Sequence, residues 1–346
     1  MVGRILGSAV GVSARLALVL LGLSLGFVTF ELAARQFELD ARLMAPSLFF
    51  LTGGAFSEHR TSSDAFLHYE LNPDSHTTWQ SPAGRPYAVN IDRFGARLPA
   101  HPGPKAPGVF RILCFGGSTL FGANVNDEET IPAAMERHLK RTGRQVEVWN
   151  FGTSAYNLAQ AAHLARREVT ILEPDLIVVQ ILNRFPRPFY LPFPPESVDV
   201  IRAFAQSDPY FFDEQFPAPP WVAVAVHRFA MRHLAAYRVV MGVYRRFERP
   251  PSAFSDQLGG EEARALVGEA GARNVAVVFV AVPAAHGLLS PDSGVYQGLP
   301  ARQFIDLNQP DHEPEFYDAH PPARILDEYA LLLAKELSNR GLLPPP

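Results

Sequence analysis

Residues 109–122 read Val-Phe-Arg-Ile-Leu-Cys-Phe-Gly-Gly-Ser-Thr-Leu-Phe-Gly, and this stretch decides the fold. Its first half, Val109–Phe115, is a short apolar run of the kind that forms a strand buried on both faces of a sheet. Gly116 and Gly117 then allow a tight turn from strand to helix. The turn places Ser118 outside the core, at the start of the next helix.

Three further apolar runs have the same character, and each predicts a strand: Gln145–Phe151, Leu176–Leu182 and Val275–Val282. Amphipathic helical patterns lie between them. Strands that alternate with helices are typical of βαβ units, in which a parallel sheet is covered by helices on both faces. The sequence therefore predicts an α/β fold, a three-layer α/β/α sandwich with a parallel sheet.

The predicted helices have recognisable start and stop signals. Asp127 precedes an acidic first turn and is the expected N-cap of one helix, and Asn157 is the expected N-cap of another. The last helix is expected to run from about Pro322 to Asn339 and to stop at Gly341, a residue type that suits a helix C-terminus.

The N-terminal segment, residues 1–35, carries an export signal. Leu16 to Phe30 contains no charged residue, and Arg4 and Arg15 lie on its N-terminal side. With the weakly polar stretch from Ile5, this run approaches the about 20 residues that span a bilayer. A signal peptide and an anchor both fit, and a buried core helix is the third alternative. We favour an uncleaved anchor because no small-residue cleavage site follows, and the basic flank then places the rest of the chain outside the cytoplasm.

The remainder of the chain divides by composition. Residues 36–107 are expected to be an irregular lead-in, residues 108–340 the α/β domain with an insertion at 186–260, and residues 341–346 a tail. Within the insertion, Val224 to Phe247 predicts one amphipathic helix. Three roles for the insertion stay open: a lid or binding element, a packing appendage, or an apolar face with Phe229, Leu234 and Val239 on the membrane surface.

Composition excludes some classes of function. The 346 residues carry a formal net charge of −4, and no basic run is longer than the pair Arg245-Arg246, so nucleic acid is not an expected partner. Cys114 is the only cysteine, which rules out an internal disulfide. Because Cys114 lies within an apolar run, we expect a buried and inert thiol.

Polar residues gather where the predicted strands end. Ser118 follows the first strand, Asn183 follows the third, and the segment Asp318-Ala319-His320 precedes the last helix. These positions meet at the carboxyl edge of a parallel sheet. A serine hydroxyl needs a base to become a nucleophile, and histidine is the natural choice. We therefore assign His320 as the base of Ser118 and Asp318 as the carboxylate that orients His320.

Each of these features has an alternative explanation when it is taken singly. A Gly-Gly-Ser turn could hold a phosphate at a helix N-terminus, and Asn183 could cap a turn. Asp318 and His320 could form a surface ion pair, or part of a metal site with His312. The other histidines show no spacing typical of metal ligands, so we predict no metal and no cofactor. The ordered set favours the catalytic hypothesis.

That ordered set resembles the SGNH (GDSL-type) hydrolases, which have a flavodoxin-like sandwich, over about residues 85–340. Residues 89–97, Val-Asn-Ile-Asp-Arg-Phe-Gly-Ala-Arg, also resemble the lead-in of a membrane-anchored bacterial subgroup with a Gly-Gly-Ser-Thr nucleophile motif. The resemblance implies that Ser118 is the nucleophile, His320 the base and Asp318 its partner. It also implies an oxyanion hole formed by the Ser118 amide, the Ala155 amide and Asn183.

Three positions depart from the family pattern. Alanine stands at position 155, where the family has a glycine, and Arg184 follows Asn183 in place of an acidic residue. Asp318 and His320 are separated by one residue instead of two, so Asp311 or solvent could serve in place of Asp318. Arg184 is a candidate for binding an anionic substrate, and His286 is a candidate for bordering the pocket.

The resemblance implies a serine esterase that acts on an acylated envelope glycan or a lipid through a Ser118 acyl-enzyme. The same groups could instead transfer the acyl chain to a sugar hydroxyl, which would make the protein a polysaccharide O-acyltransferase. A hypothesis of another class is a non-catalytic glycan-binding or assembly protein with a degenerate site. We expect ester-bearing molecules and the membrane as partners, and a periplasmic or cell-surface location.

Overall fold

The computed structural model of the chain describes residues 2–45, 50–52, 58–98, 104–181, 186–191, 198–247, 253–282, 303–307 and 320–346. The chain forms two compact units. The smaller unit comprises Met1–Leu48 and Pro195–Pro250, and the larger one comprises Phe49–Pro194 and Pro251–Pro346.

The strands are, in chain order, β1 (Phe50–Thr52), β2 (His59–Thr61), β3 (Tyr69–Leu71), β4 (Ser75–Gln80), β5 (Pro86–Ile91), β6 (Phe110–Gly116), β7 (Val146–Gly152), β8 (Leu176–Ile181), β9 (Phe189–Leu191), β10 (Ala276–Ala281) and β11 (Phe304–Asp306). The helices are α1 (Val2–Gln36), α2 (Leu39–Met44), α3 (Ser118–Phe121), α4 (Ile131–Arg141), α5 (Leu158–Val169), α6 (Val198–Ser207), α7 (Phe211–Gln215), α8 (Val224–His233), α9 (Ala235–Phe247), α10 (Ala253–Gly271) and α11 (Ala323–Asn339). A 3-10 turn, Asp127–Glu129, precedes α4.

A five-stranded parallel sheet forms the centre of the larger unit. Its strand order is β11-β10-β8-β6-β7, and every neighbouring pair is parallel. The four predicted strands are confirmed within one residue at each end. They are buried on both faces, as continuous apolar runs require.

Helices cover the sheet on both sides. One apolar cluster joins the sheet to α5 and α10, and another joins it to α4 and α11. The α/β/α sandwich predicted from the sequence is therefore confirmed. Cys114 is fully buried in the second cluster, and burial raises the pKa of its thiol, as expected for an inert cysteine.

The predicted helix starts are only partly correct. The Asn157 side chain accepts a hydrogen bond from the Gln160 amide at 3.1 Å, so Asn157 is the N-cap of α5 as predicted. The prediction for Asp127 is wrong, because the N-cap of α4 is Thr130, whose hydroxyl accepts from the Ala133 amide. Asp127 instead forms an ion pair with Arg97, a partner that is distant in the sequence.

The lead-in carries a β-hairpin, β4–β5, that attaches to the edge of the central sheet. Its antiparallel strands are followed by Arg97, which makes single β-bridges to Ile91 on one side and to Asn150 of β7 on the other. The Arg97 amide donates to the Asn150 carbonyl at 2.7 Å. Arg97 thereby pairs with the edge strand β7 at one position.

The smaller unit is helical. Its helix α1 includes Ala14–Gln36, which is long and apolar enough to cross a membrane, with a mean hydropathy of 2.1. The predicted single helix over 224–247 is interrupted, because Leu234 adopts an extended conformation between α8 and α9. The predicted apolar face is also divided: Phe229 is exposed, Leu234 is half-buried and Val239 packs against Ala34 of α1.

Gly152 marks the closest approach between β7 and α3. A Cβ atom at position 152 would lie 2.3 Å from the Phe121 backbone nitrogen, whereas one at Gly268, in α10, would meet nothing within 4 Å. Gly152→Ala is expected to destabilise the protein by about 3 kcal/mol, because backbone cannot move aside. Gly268→Ala is expected to be stabilising by up to about 1 kcal/mol. Denaturant unfolding of both variants checks this, and equal effects would contradict the close approach.

Candidate active site

The serine turn, residues 117–122, begins where β6 ends. Gly117 is the extended N-cap of α3, with φ −98° and ψ −154°, and Ser118 is the first residue of that helix. Ser118 is half-buried, whereas the next three residues are buried. The short helix thus presents one hydroxyl at the carboxyl edge of the sheet, while its other side chains fix it to the core.

Gln180, from the neighbouring strand β8, contacts the start of the serine turn. Its side-chain oxygen accepts a hydrogen bond from the Gly117 amide at 3.2 Å, and the residue is buried. A Cβ atom at Gly116 would lie 2.6 Å from the Gln180 Cβ, so only glycine permits this contact. Gln180 therefore fixes the backbone one residue before Ser118.

Asn150, from β7, holds the other end of α3. Its side-chain nitrogen donates to the carbonyls of Leu120 and Phe121 at 3.0 and 3.2 Å, and its side-chain oxygen accepts from the Gly152 amide at 2.9 Å. A helix of one turn cannot satisfy its own last carbonyls. The Asn150 amide supplies the missing donors, and it joins α3 to the strand that leads to Ala155.

Arg97 contacts the end of α3 and the segments around it. The side chain is 1% exposed, and its guanidinium donates to the carbonyls of Phe121, Gly122, Val125 and Ala88 at 2.6–2.9 Å. Its Nε donates to Asp127 Oδ1 at 2.7 Å. The planar guanidinium also stacks over the Phe121 ring at 4.7 Å. Arg97 thereby ties the end of α3 to the lead-in and to the 3-10 turn.

The energetics of Arg97 depend on its being fully paired. Burial lowers the pKa of Arg97, and the adjacent Asp127 carboxylate opposes that shift. A buried charge of this kind is tolerated only when its hydrogen bonds are satisfied. Removal of Arg97 leaves the Asp127 carboxylate without its ion-pair partner and four carbonyls without this donor.

Ala155 lies in a tight turn after β7. The Tyr156 amide donates to the Thr153 carbonyl at 3.1 Å, and Ala155 has φ +61°, in the left-handed region that favours glycine. The Tyr69 hydroxyl donates to the Ser154 carbonyl at 2.6 Å and so holds the turn. The backbone expected for a glycine is therefore present at Ala155, at a conformational cost of about 1–2 kcal/mol.

The hydroxyl and amides proposed to act on a substrate are unpaired among the described residues. In the part of the chain that the structure describes, the Ser118 hydroxyl and the amides of Ser118 and Ala155 have no hydrogen-bond partner. Both residues follow paired positions of adjacent strands, because Gly116 of β6 pairs with Gly152 of β7. A hydroxyl and two donors therefore lie at the ends of neighbouring strands.

His320 lies at the same edge of the sheet. Helix α11 runs parallel to α4, since Arg137 contacts Asp327 and Arg144 contacts Ser338, both at 3.1 Å. Helix α4 begins at the carboxyl edge, so α11 and the residue before it begin there as well. His320 is half-buried. Within the ranges that the structure describes, no hydrogen bond joins His320 to Ser118.

The other predicted site residues lie outside the described ranges. These are Asp318 and its alternative Asp311, the oxyanion candidate Asn183, the substrate candidates Arg184 and His286, and His312. The structure thus brings Ser118, Ala155 and His320 to one edge of the sheet.

The residues that hold the turn are not predicted from the sequence motifs. Gln180 lies inside an apolar strand, where a polar residue is a signal in itself, because a buried amide needs a partner. In the sequence, Arg97 is part of the motif at residues 89–97 and Asp127 has the properties of a helix cap. Their pairing crosses 30 residues of chain and follows only from the folded arrangement.

Comparison with known proteins found similarity among solved structures alone. No protein-family model and no curated protein matches the chain. Among solved structures, the chain is similar to the psychrotrophic esterase EstA from Pseudoalteromonas sp. (12% identity, 66% of this chain and 97% of that one, TM-score 0.37). It is also similar to a GDSL-like lipase from Bacteroides thetaiotaomicron (12%, 66% and 88%, 0.32) and to an acetylxylan esterase from Geobacillus stearothermophilus (14%, 68% and 74%, 0.27). All three TM-scores are below 0.5.

Replacement of Arg97 tests whether it holds the serine turn. Arg97→Met is expected to lower the free energy of unfolding by about 3–5 kcal/mol, because Asp127 is left as a buried unpaired charge. The matched control is Arg85→Met, which removes an exposed arginine paired with Glu129 and should cost less than about 1 kcal/mol. Urea unfolding of both variants measures the difference. Similar losses would show that the Arg97 cluster does not stabilise the fold.

Replacement of Ala155 tests the left-handed turn. Ala155→Gly is expected to be neutral or to stabilise the protein by up to about 1 kcal/mol, because glycine relieves the unfavourable φ but gains freedom in the unfolded chain. The same change at Ala265, inside α10, should destabilise by about 1 kcal/mol. Thermal unfolding compares the two variants. A loss at position 155 as large as that at position 265 would argue against the positive φ.

Proposed function

We propose that this chain is a serine esterase of the SGNH type that acts through a Ser118 acyl-enzyme. The observation that carries the proposal is the serine turn. Ser118 is presented at the carboxyl edge by a helix that Arg97, Asn150 and Gln180 hold in place, and its hydroxyl has no hydrogen-bond partner among the residues that the structure describes. The sequence motifs that resemble the SGNH hydrolases lie at the same positions.

In the proposed reaction, the Ser118 hydroxyl oxygen bonds to the ester carbonyl carbon and His320 takes the hydroxyl proton. The oxygen that becomes negative is stabilised by the amides of Ser118 and Ala155, with Asn183 as the third donor, and each such donor contributes about 3–4 kcal/mol. The ester bond then breaks, and the leaving alcohol takes the proton from His320. Water then attacks the acyl-enzyme with His320 as the base, which releases the carboxylic acid and restores the Ser118 hydroxyl. Asp318 orients His320.

The location and substrate form part of the same proposal. Helix α1 is proposed to anchor the chain in the membrane, and the basic residues Arg4 and Arg15 favour a cytoplasmic N-terminus. The site would then face the periplasm or the cell surface. An O-acylated envelope glycan or a lipid is the substrate class that fits this location. Transfer of the acyl group to a sugar hydroxyl would use the same residues and differ only in the acceptor.

The proposal predicts that the full-length protein in detergent reacts with a fluorophosphonate probe and hydrolyses p-nitrophenyl acetate. Ser118→Ala should abolish labelling and lower turnover by at least about 1,000-fold, because the nucleophile is lost. Ser207→Ala, at an exposed position on α6, is the control and should keep both activities. Gel fluorescence measures the labelling, and the absorbance of the released nitrophenolate measures the turnover.

The opposite result would support another class of function. If the folded wild-type protein is neither labelled nor active, the chain is better explained as a non-catalytic glycan-binding protein. Turnover that appears only when a glycan acceptor is added would favour acyl transfer over hydrolysis.

A further inference from the structure

Helices α8 and α9 form an antiparallel hairpin within the smaller unit. His227 Nδ1 and the Tyr237 hydroxyl lie 2.9 Å apart, and the rings of Trp221 and Tyr244 are in edge contact at 6.1 Å. Residues about equally far from position 232 along the chain therefore face each other. The hairpin has its end at residues 233–236, where the chain turns.

This end of the hairpin is attached to the last turns of α1. The carboxylate of Glu31 accepts hydrogen bonds from the amides of Ala235 and Ala236 at 3.0 and 2.7 Å, and Arg35 donates to the His233 carbonyl at 2.7 Å. The amides at the start of α9 have no partner within their own helix, and a carboxylate is their preferred cap. Polar contacts of this kind fix the hairpin end beside Glu31 and Arg35.

The positions of Glu31 and Arg35 determine where the hairpin end lies relative to the bilayer. The candidate span Ala14–Gln36 has 23 residues, and its uncharged part ends at Phe30. A bilayer core about 30 Å thick takes about 20 residues of helix at 1.5 Å each. If α1 spans the membrane, Glu31 and Arg35 lie at the polar boundary. The hairpin end then lies in the layer of lipid headgroups.

An exposed apolar stripe lies on α8, about one and two turns before the hairpin end. Val226, Phe229 and His233 have the spacing of one helix face, and Val226 and Phe229 are 60% and 61% exposed. Phe37, which directly follows the span, is 63% exposed. Large apolar side chains that are grouped and exposed beside a membrane helix are typical of a surface that contacts lipid.

We propose that the Val226–Phe229 stripe of α8 inserts into the headgroup layer of the bilayer that holds α1. This inference rests on the proposed anchoring by α1 and is independent of the proposed ester hydrolysis. The molecules that contact this stripe are phospholipids. The chain is then held by two contacts, a spanning helix and an interfacial helix, which limits rotation of the smaller unit about the anchor axis.

Lipid quenching of a fluorophore tests this inference on the full-length chain. The native Cys114 is buried, so a single added cysteine can be labelled with a nitrobenzoxadiazole group. The positions are Phe229→Cys on the stripe, Leu23→Cys in α1 as the positive control, and Ile171→Cys as an exposed apolar position in the larger unit. Val226→Cys is a second stripe variant, in case Phe229→Cys folds poorly. Each protein is placed in nanodiscs of phosphatidylethanolamine and phosphatidylglycerol with brominated acyl chains.

The expected result is quenching at positions 23 and 229, with at least about twofold more quenching at 229 than at 171. Quenching at position 23 together with equal signals at 229 and 171 would overturn the interfacial contact while leaving the anchor intact. A shielded fluorophore at 229 that brominated lipid does not quench would also overturn it, because another protein surface would then cover the stripe. The absence of quenching at position 23 would reject the anchor itself, and the interfacial contact with it.

Discussion

The buried ion pair between Arg97 and Asp127 connects four segments of the larger unit. Its guanidinium donates to carbonyls of the lead-in strand, of the end of α3 and of the loop before α4, and its backbone bridges to β7. A buried charge with incomplete pairing costs several kcal/mol, so each of these segments must adopt its observed position for the pair to be tolerated. The arrangement around Ser118 is one consequence of that constraint.

A rigid serine turn suits the chemistry that we propose. Donors that point to the developing oxyanion before the reaction need no reorganisation during it, which is why such groups are effective in enzymes. Gln180 fixes the backbone before Ser118, and Asn150 fixes the helix end after it. At Ala155 the chain accepts a positive φ without glycine, and the hydrogen bond from Tyr69 to Ser154 offsets part of that cost.

The sequence predicted those features that depend on local pattern. The four buried strands, the cap at Asn157 and the position of Ser118 at a strand end all follow from hydrophobic period and turn residues. The sequence did not predict the features that depend on a partner distant in the chain. Asp127 has the properties of a helix cap, yet Arg97 takes its carboxylate. The apolar pattern continues across Leu234, yet contacts with Glu31 start a new helix there. The roles of His320 and Ala155 in catalysis stay predictions.

We propose that the serine turn, which Arg97, Asn150 and Gln180 hold in place, makes Ser118 a nucleophile. The amides of Ser118 and Ala155 then form its oxyanion hole. A crystal structure of the full-length protein after reaction with an alkyl phosphonate tests it most directly. The account predicts phosphorus bonded to Ser118 Oγ, a phosphonyl oxygen about 3 Å from both amides, and His320 within hydrogen-bond reach of the adduct. A phosphonate bonded to another residue, or one whose oxygen points away from these amides, would contradict it.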